Sequence, residues 1–260
     1  MRRMGRMRMF GLAMVLGTAL GATAASGATE EYDPWEGFNR KMFTFNEGLD
    51  RWVLEPAAKA IDWAVPRPVL ESVDNFFDNL RLPIDFTNDL LQGKPVRALE
   101  DFVRFGVNTT FGICGFFDPS SAVGLLRSNE DMGQTFAVWH IPPGPYLVVP
   151  VLGPMTVRDG IGLAGDTALT VPTYFVEAFY LVGAQAMNLA NQRTLYQEEI
   201  AGAKEASLDY YLFVRNAYYQ RRDALIRDAI RNARAGRFDY FEKVDEEDLY
   251  FLEDEAPKGN

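Results

Sequence analysis

Apolar positions recur at helical spacing along most of the chain. Phe38, Met42, Phe45 and Leu49 stand at i, i+4, i+7 and i+11, and Asp33, Pro34 and Glu36 ahead of them have the makings of a capped start. Pro56 marks a kink or stop. Val69/Leu70, Val73, Phe76/Phe77 and Leu80 trace a second helix, which Pro83 is expected to interrupt and Gly93 to end. Pro95 opens a third, whose apolar residues spread around the axis as in a central element. Residues 195–235 are again helical, with Ser207 as the expected cap of the last helix and Gly236 as its stop. The expected fold class is all-α, with about six or more amphipathic helices.

The periodicity fails between residues 112 and 154. Gly112, Gly115, Gly124 and Gly133 punctuate the first part, and Phe116, Phe117, Leu125 and Leu126 sit among its turn formers. The second part, PPGPYLVVPVLGP, is too broken for a helix and too apolar for an ordinary surface loop. We expect one long Gly/Pro-rich insert, irregular apart from a short hairpin pairing Thr135–Trp139 with Tyr146–Val151. An irregular segment of this length is usually functional or disordered, and its aromatic content argues against disorder.

From Gly160 to Gln192 the only charges are Asp166 and Glu177. Pro172 and Glu177 break the run, so it is a poor spanning helix. It suits a helix lying against lipid or buried in protein. Phe179 and Val182 are its candidate membrane-facing residues.

Composition narrows the reading. The formal net charge is −10, so a nucleic-acid partner is not expected. Arg2, Arg3, Arg6 and Arg8 precede an apolar run and then Ser26-Gly27-Ala28, the layout of a secretory leader cleaved after Ala28. Residues 29–236 form the expected domain and 237–260 an acidic, solvated tail. Without its leader the chain is more acidic still, so any membrane contact must be apolar.

Chemistry for catalysis is thin. One His and one Cys leave no zinc-site pattern, and neither a nucleophile elbow nor a phosphate loop is present. No catalytic, metal-ligating or cofactor-binding residue is assigned. Cys114 is read as a small buried hydrophobe. Asp33, Asp50, Asp85, Asp159 and Asp209 stand where caps or turns would place them.

The blocks DPWEGFNRKMFTFNEGLDRWVLEPAAK, VDNFFDNLRLPIDFTNDLLQG, RFGVNTTFGICGFFDP, GQTFAVWHIPPGPYLVVPVLGPMTVRDGIG and SLDYYLFVRNAYYQRRD resemble the successive signatures of the VacJ/MlaA family, from about Asp33 to Asp223. The resemblance implies a ring-like helical bundle in the inner leaflet of the outer membrane. It implies phospholipids as cargo, a trimeric porin as companion, and a periplasmic lipid carrier (MlaC-like) as recipient. A channel would remove mislocalised phospholipid and maintain lipid asymmetry, without catalysis. A flexible gate would map to Gly112–His140, with Gly112, Gly115, Gly124 and Gly133 as hinges and Phe116, Phe117, Leu125 and Leu126 as apolar contacts. Family members commonly carry a lipidated Cys after the leader. The only Cys here is Cys114, so the expectation is attachment without an N-terminal lipid. The alternatives are a porin-binding scaffold that moves nothing, and an exported hydrolase.

Overall fold

The computed structural model describes residues 33–235. The expected leader and acidic tail, and the Gly236 stop, lie outside them.

Ten α-helices and one hairpin make up the described chain. Helix α1 (Glu36–Leu49) passes through a π-helical turn (Asp50–Leu54) into α2 (Glu55–Ala64). Pro56 follows directly on the π-helical turn, in the first turn of α2, and the helical backbone passes through it rather than stopping. Asp33 does not cap α1, which starts at Glu36 after Trp35. Its carboxylate instead accepts from Asn39 Nδ2 at 2.8 Å and from the Tyr211 hydroxyl. Helix α3 (Arg67–Leu91) runs unbroken through Pro83, contrary to the expected interruption. Helix α4 (Pro95–Thr110) follows.

The insert is more ordered than expected. It holds α5 (Pro119–Ala122), α6 (Met132–Val138), and an antiparallel hairpin of β1 (Tyr146–Val149) and β2 (Gly153–Thr156). The hairpin therefore lies within the proline-rich stretch and just beyond it. Thr135–Val138, expected as one of its strands, is helical. Beyond it come α7 (Val157–Leu169), a 3₁₀ turn (Val171–Tyr174), α8 (Ala178–Leu195), α9 (Gln197–Ala206) and α10 (Tyr210–Ala235). Asp209 caps α10, accepting from Leu212 N at 3.1 Å, while Ser207 donates to Lys204 O at 3.2 Å and closes α9.

Two asparagines one heptad apart on α1 dress the hairpin's open edge. Asn39 donates to Tyr146 O at 3.0 Å and accepts from Val148 N at 2.9 Å. Asn46 does the same for Val149 O at 3.0 Å and Val151 N at 2.8 Å. A side-chain amide presents the donor and acceptor of a peptide, so α1 stands in for a third strand and shields an edge that would otherwise be exposed. Tyr146 and Val148 are fully buried beneath, against Tyr211 with Met42, Phe43, Tyr218 and Tyr219 around them. Replacing Asn39 by Leu strands a buried carbonyl and a buried N–H. We expect a loss of about 2–4 kcal/mol in chemical unfolding, while Asn39→Gln should recover part of it.

Neighbour contacts run from α2 to α8, α3, α6, α10, the hairpin and α1, which continues into α2. The circuit closes, giving an all-α, ring-like bundle with a single small sheet. Among the described residues no helix is long and apolar enough to cross a membrane.

Candidate functional site

The bundle's polarity is inverted. On α4, the buried positions are Ala98, Asp101, Arg104 and Asn108, while Leu99, Phe102 and Val103 face outward. The helix is thus amphipathic with its apolar side out, and not the central element its sequence suggested. The α1–α2 rod presents Phe38, Phe45, Trp52 and Trp63 outward, Trp63 at 90% exposure. Buried polar and charged residues outnumber buried hydrophobic ones among the described residues. A lone exposed Leu needs no explanation, but continuous outward stripes of Phe and Trp over a charged interior do.

The interior is held by ion pairs. Arg127 meets Asp78 and, at 2.9 Å, Asp85. Lys94 bridges Glu130 at 2.8 Å and Asp89 at 3.7 Å. Arg104 ties Asp118 at 3.2 Å and donates to Leu125 O. Arg222 of α10 joins Asp131 at 2.6 Å to Asp159 at 2.9 Å. At the π turn, Arg193 and Lys204 converge on Asp50 at 2.6 and 2.8 Å. Asp33, Asp50, Asp85 and Asp159 therefore serve as buried ion-pair or hydrogen-bond partners, and only Asp209 among them acts as a cap.

Several carboxyls in this interior are undercompensated, Asp89 and Asp101 the most. Burial, reinforced by Glu130, pushes Asp89 up to about 8. Burial and Asp85 push Asp101 up to about 7. An acid whose folded pKa is raised contributes stability that is fully present below its unfolded value near 4 and is lost as pH rises through the folded value. The folded chain should therefore weaken between about pH 4 and 8, with a fall of about 5 °C or more in Tm. Asp89→Asn should flatten that slope in a melting series. An unchanged slope would show that these carboxyls do not titrate in the fold.

The structure separates the gate residues named from the sequence. Gly112, Gly115, Phe116 and Phe117 share one tight turn, in which Ile113 and Cys114 also adopt positive φ and Cys114 is exposed rather than buried. Phe116 stacks on Phe76 of α3 at 5.0 Å, and Phe117 is 56% exposed. Gly124, with φ of +87°, ends α5, and Leu125 and Leu126 follow it. Gly133 is elsewhere, buried in α6, where a Cβ would lie 2.4 Å from Arg222 Nη2. It is a close-packing point and not a hinge. Gly112 is likewise crowded, since a Cβ there would meet Phe117 O at 2.3 Å. The segment between Asp118 and Asp131 is clamped by Arg104, Arg127, Lys94 and Arg222, so the expected gate of Gly112–His140 does not form one free unit.

Phe179 and Val182 stand on the first half of α8, where residues at nearly every angle are exposed. Phe179 is 81% and Val182 69% exposed. Tyr174, Phe175 and Tyr180 extend the patch, and Asn191–Leu195 anchor the far end of the helix in the bundle. Sequence reasoning missed the interior ion pairs. Their signal was the polar row Asp101, Arg104 and Asn108, which a soluble-protein assumption assigns to solvent.

Comparison with known proteins gives a consistent answer. Residues 31–225 match the profile described as MlaA lipoprotein. "Intermembrane phospholipid transport system lipoprotein MlaA" of Haemophilus influenzae is 36% identical over 207 residues, covering 74% of this chain and 78% of that protein. The protein of the same name from Escherichia coli strain K12 is 33% identical over 218 residues, covering 81% of this chain and 86% of that protein. A solved chain from work described as "Structural basis for maintenance of bacterial outer membrane lipid asymmetry" is 33% identical, with a TM-score of 0.68, and covers 75% of this chain and all of that one. The inverted bundle with its asparagine-clipped hairpin belongs to the MlaA lipoprotein family.

Proposed function

We propose that this protein transports phospholipid between membranes of the cell envelope. It sits at the periplasmic face of the outer membrane, takes phospholipid mislocalised to the outer leaflet, and passes it to a soluble periplasmic carrier. The observation that carries this reading is the inverted polarity: outward stripes of large apolar side chains around an ion-paired interior. In hydrocarbon the apolar phase lies outside the protein, so such a distribution is stable there and unfavourable in water. The family relatives, named for intermembrane phospholipid transport, support the cargo. Phe116 and Phe117 on their exposed turn are the candidate acyl contacts, and that turn is the candidate moving part. A trimeric porin is the proposed companion in the membrane, and no reaction is catalysed.

Lipid mass spectrometry on the full chain purified in mild detergent tests this reading. Stoichiometric glycerophospholipid should co-purify and exchange with added labelled lipid. A lipid-free, fully stable protein that does not take up labelled lipid would favour the scaffold alternative.

A further inference from the structure

We infer that residues 128–130 form a pH-sensitive strap: a proton held between Asp89 and Asp101 fastens it across α3 and α4, and the strap opens ahead of the rest of the ring as that proton is withdrawn. The strap belongs to no helix or strand and leads into α6. Ion pairs fix both of its ends, Arg127 to Asp78 and Asp85, and Asp131 to Arg222. Between them, Ser128 donates to Asp101, and Glu130 accepts from Lys94 at 2.8 Å and from Gln92 at 3.0 Å. Asn129 O and Glu130 O accept from Gln134 at 3.0 Å and Arg81 at 3.2 Å, bonds that open with the strap.

Hydrogen counting places the proton. Asp89 and Asp101 are fully buried, and both face the Ser128 hydroxyl. That hydroxyl has one hydrogen, which goes to Asp101, and neither oxygen of Asp89 accepts a hydrogen bond. Two ionised carboxylates cannot both be served. With a proton, Asp89 donates to Ser128 Oγ while Ser128 donates to Asp101, and the chain is complete. The surrounding charges offer no substitute. Asp85 takes Arg127 and Arg81, Asp78 shares Arg127, Asp118 takes Arg104, and Glu130 takes Lys94. Helix α6 carries no charge. Among the described residues, Asp101 is left without an ion pair, and Asp89 has only Lys94 at 3.7 Å. An ionised Asp89 therefore competes with Glu130 for Lys94 and loses Ser128, so both side-chain ties of the strap weaken together. Opened to water, the carboxyls hold protons only near pH 4, whereas the closed pair holds one toward neutrality. Opening thus releases a proton between about pH 4 and 8, grows easier by up to about tenfold per unit in that interval, and levels off above it.

Thiol labelling of the detergent-solubilised full chain reads the opening. In a Cys114→Ser background, Ala98→Cys places a reporter on the inner face of α4 that carries Lys94 and Asp101, at a site 1% exposed. Ala58→Cys, at a fully buried site in α2, reports unfolding of the ring. Each rate is divided by that of a free thiol at the same pH, and each reporter is checked for native Tm. From pH 5 to 8 the Ala98→Cys rate should rise about tenfold or more and then level off, while Ala58→Cys changes far less. Adding Asp89→Asn should keep the Ala98→Cys rate low throughout, because an amide donates to Ser128 Oγ at every pH. Adding Ser128→Ala should raise it already at pH 5. A flat Ala98→Cys profile overturns the inference, and so does an equal rise at Ala58→Cys, which would mean that the ring weakens as one unit. A folded Asp89→Asn protein that keeps the rise overturns it as well. The two reporters decide on their own if that variant does not fold.

Discussion

Arginine at both Phe179 and Val182 should release the protein from the membrane fraction. These residues stand on the largely exposed first half of α8, with Tyr174, Phe175 and Tyr180 extending the same patch. Between Ala178 and Gln192 the helix carries no charge, and its apolar residues are spread around the axis rather than confined to one face. A helix of that kind is stable against lipid or inside protein, and here most residues of its first half are exposed. Each arginine placed near the bilayer centre is unfavourable by about 2.5–3.5 kcal/mol on insertion scales, less where the side chain reaches the interface. Two of them offset the burial of several hundred Å2 of apolar surface at about 25 cal/mol per Å2. The check is fractionation between membrane and soluble pools, with helical content measured on both. Unchanged partitioning in the double variant would mean that this patch meets protein rather than lipid. Phe179→Leu with Val182→Ile should behave as the native chain does, because it keeps the apolar surface and adds no charge.

Arg222→Leu should destabilise the fold by about 3–5 kcal/mol, the largest effect expected of any single polar substitution here. Arg222 reaches from α10 to Asp131 at the start of α6 and to Asp159 in α7, and is itself 8% exposed. Removing it takes the ion-pair partner from the buried Asp131 and leaves Asp159 with only Arg158 at 3.2 Å and the Tyr218 hydroxyl. Burial alone would raise the Asp131 carboxyl, yet Arg222 holds it well below the usual carboxylate range. The close approach of α6 and α7 leaves no room for relaxation, because a Cβ on Gly162 would lie 2.4 Å from Gly133 N. Arg222 therefore closes the ring where α6 and α10 meet. Denaturant melts measure the loss, and Arg222→Lys should recover only part of it, since one ammonium cannot replace a forked donor set. A variant within 1 kcal/mol of the native chain would show that the ring closes by packing alone.

Element positions were largely legible in the sequence, because helical periodicity does not depend on the solvent. What periodicity cannot give is the sign of the amphipathic face. Leu99, Phe102 and Val103 mark a stripe on α4, but whether that stripe faces a core or a membrane is decided by the residues opposite. Asp101, Arg104 and Asn108 could be a solvated face or an ion-paired interior, and only the partners Asp118, Ser128 and Leu125 show which. Those partners lie in the insert, whose turn chemistry hid two short helices behind its glycines. The prolines misled in two directions. Pro83 is carried inside α3, where tertiary contacts outweigh its local penalty, and Pro56 sits in a first turn that tolerates it. The hairpin was expected, but its first strand was misplaced. Tyr146–Val149 pairs with Gly153–Thr156, and α1 supplies the missing edge through Asn39 and Asn46. No local pattern announces that an asparagine on a helix will act as a strand. The candidate acyl contacts Phe116 and Phe117 were legible by type and place, whereas Gly133 was legible only as a glycine.

The central claim is that phospholipid leaves the membrane by way of this protein and its exposed turn. Transfer of labelled phospholipid from vesicles bearing the full chain to a soluble lipid-binding acceptor tests it directly. The measurement uses a Cys114→Ser background in which Phe76→Cys and Phe116→Cys replace the rings stacked at 5.0 Å. Reduced protein should transfer lipid well above the protein-free rate, because Phe117 keeps an apolar contact on the free turn. Oxidised protein, with the turn tethered to α3, should transfer at the protein-free rate, and reductant should restore transfer. Equal transfer from the tethered and reduced forms, with the disulfide verified, would contradict the account.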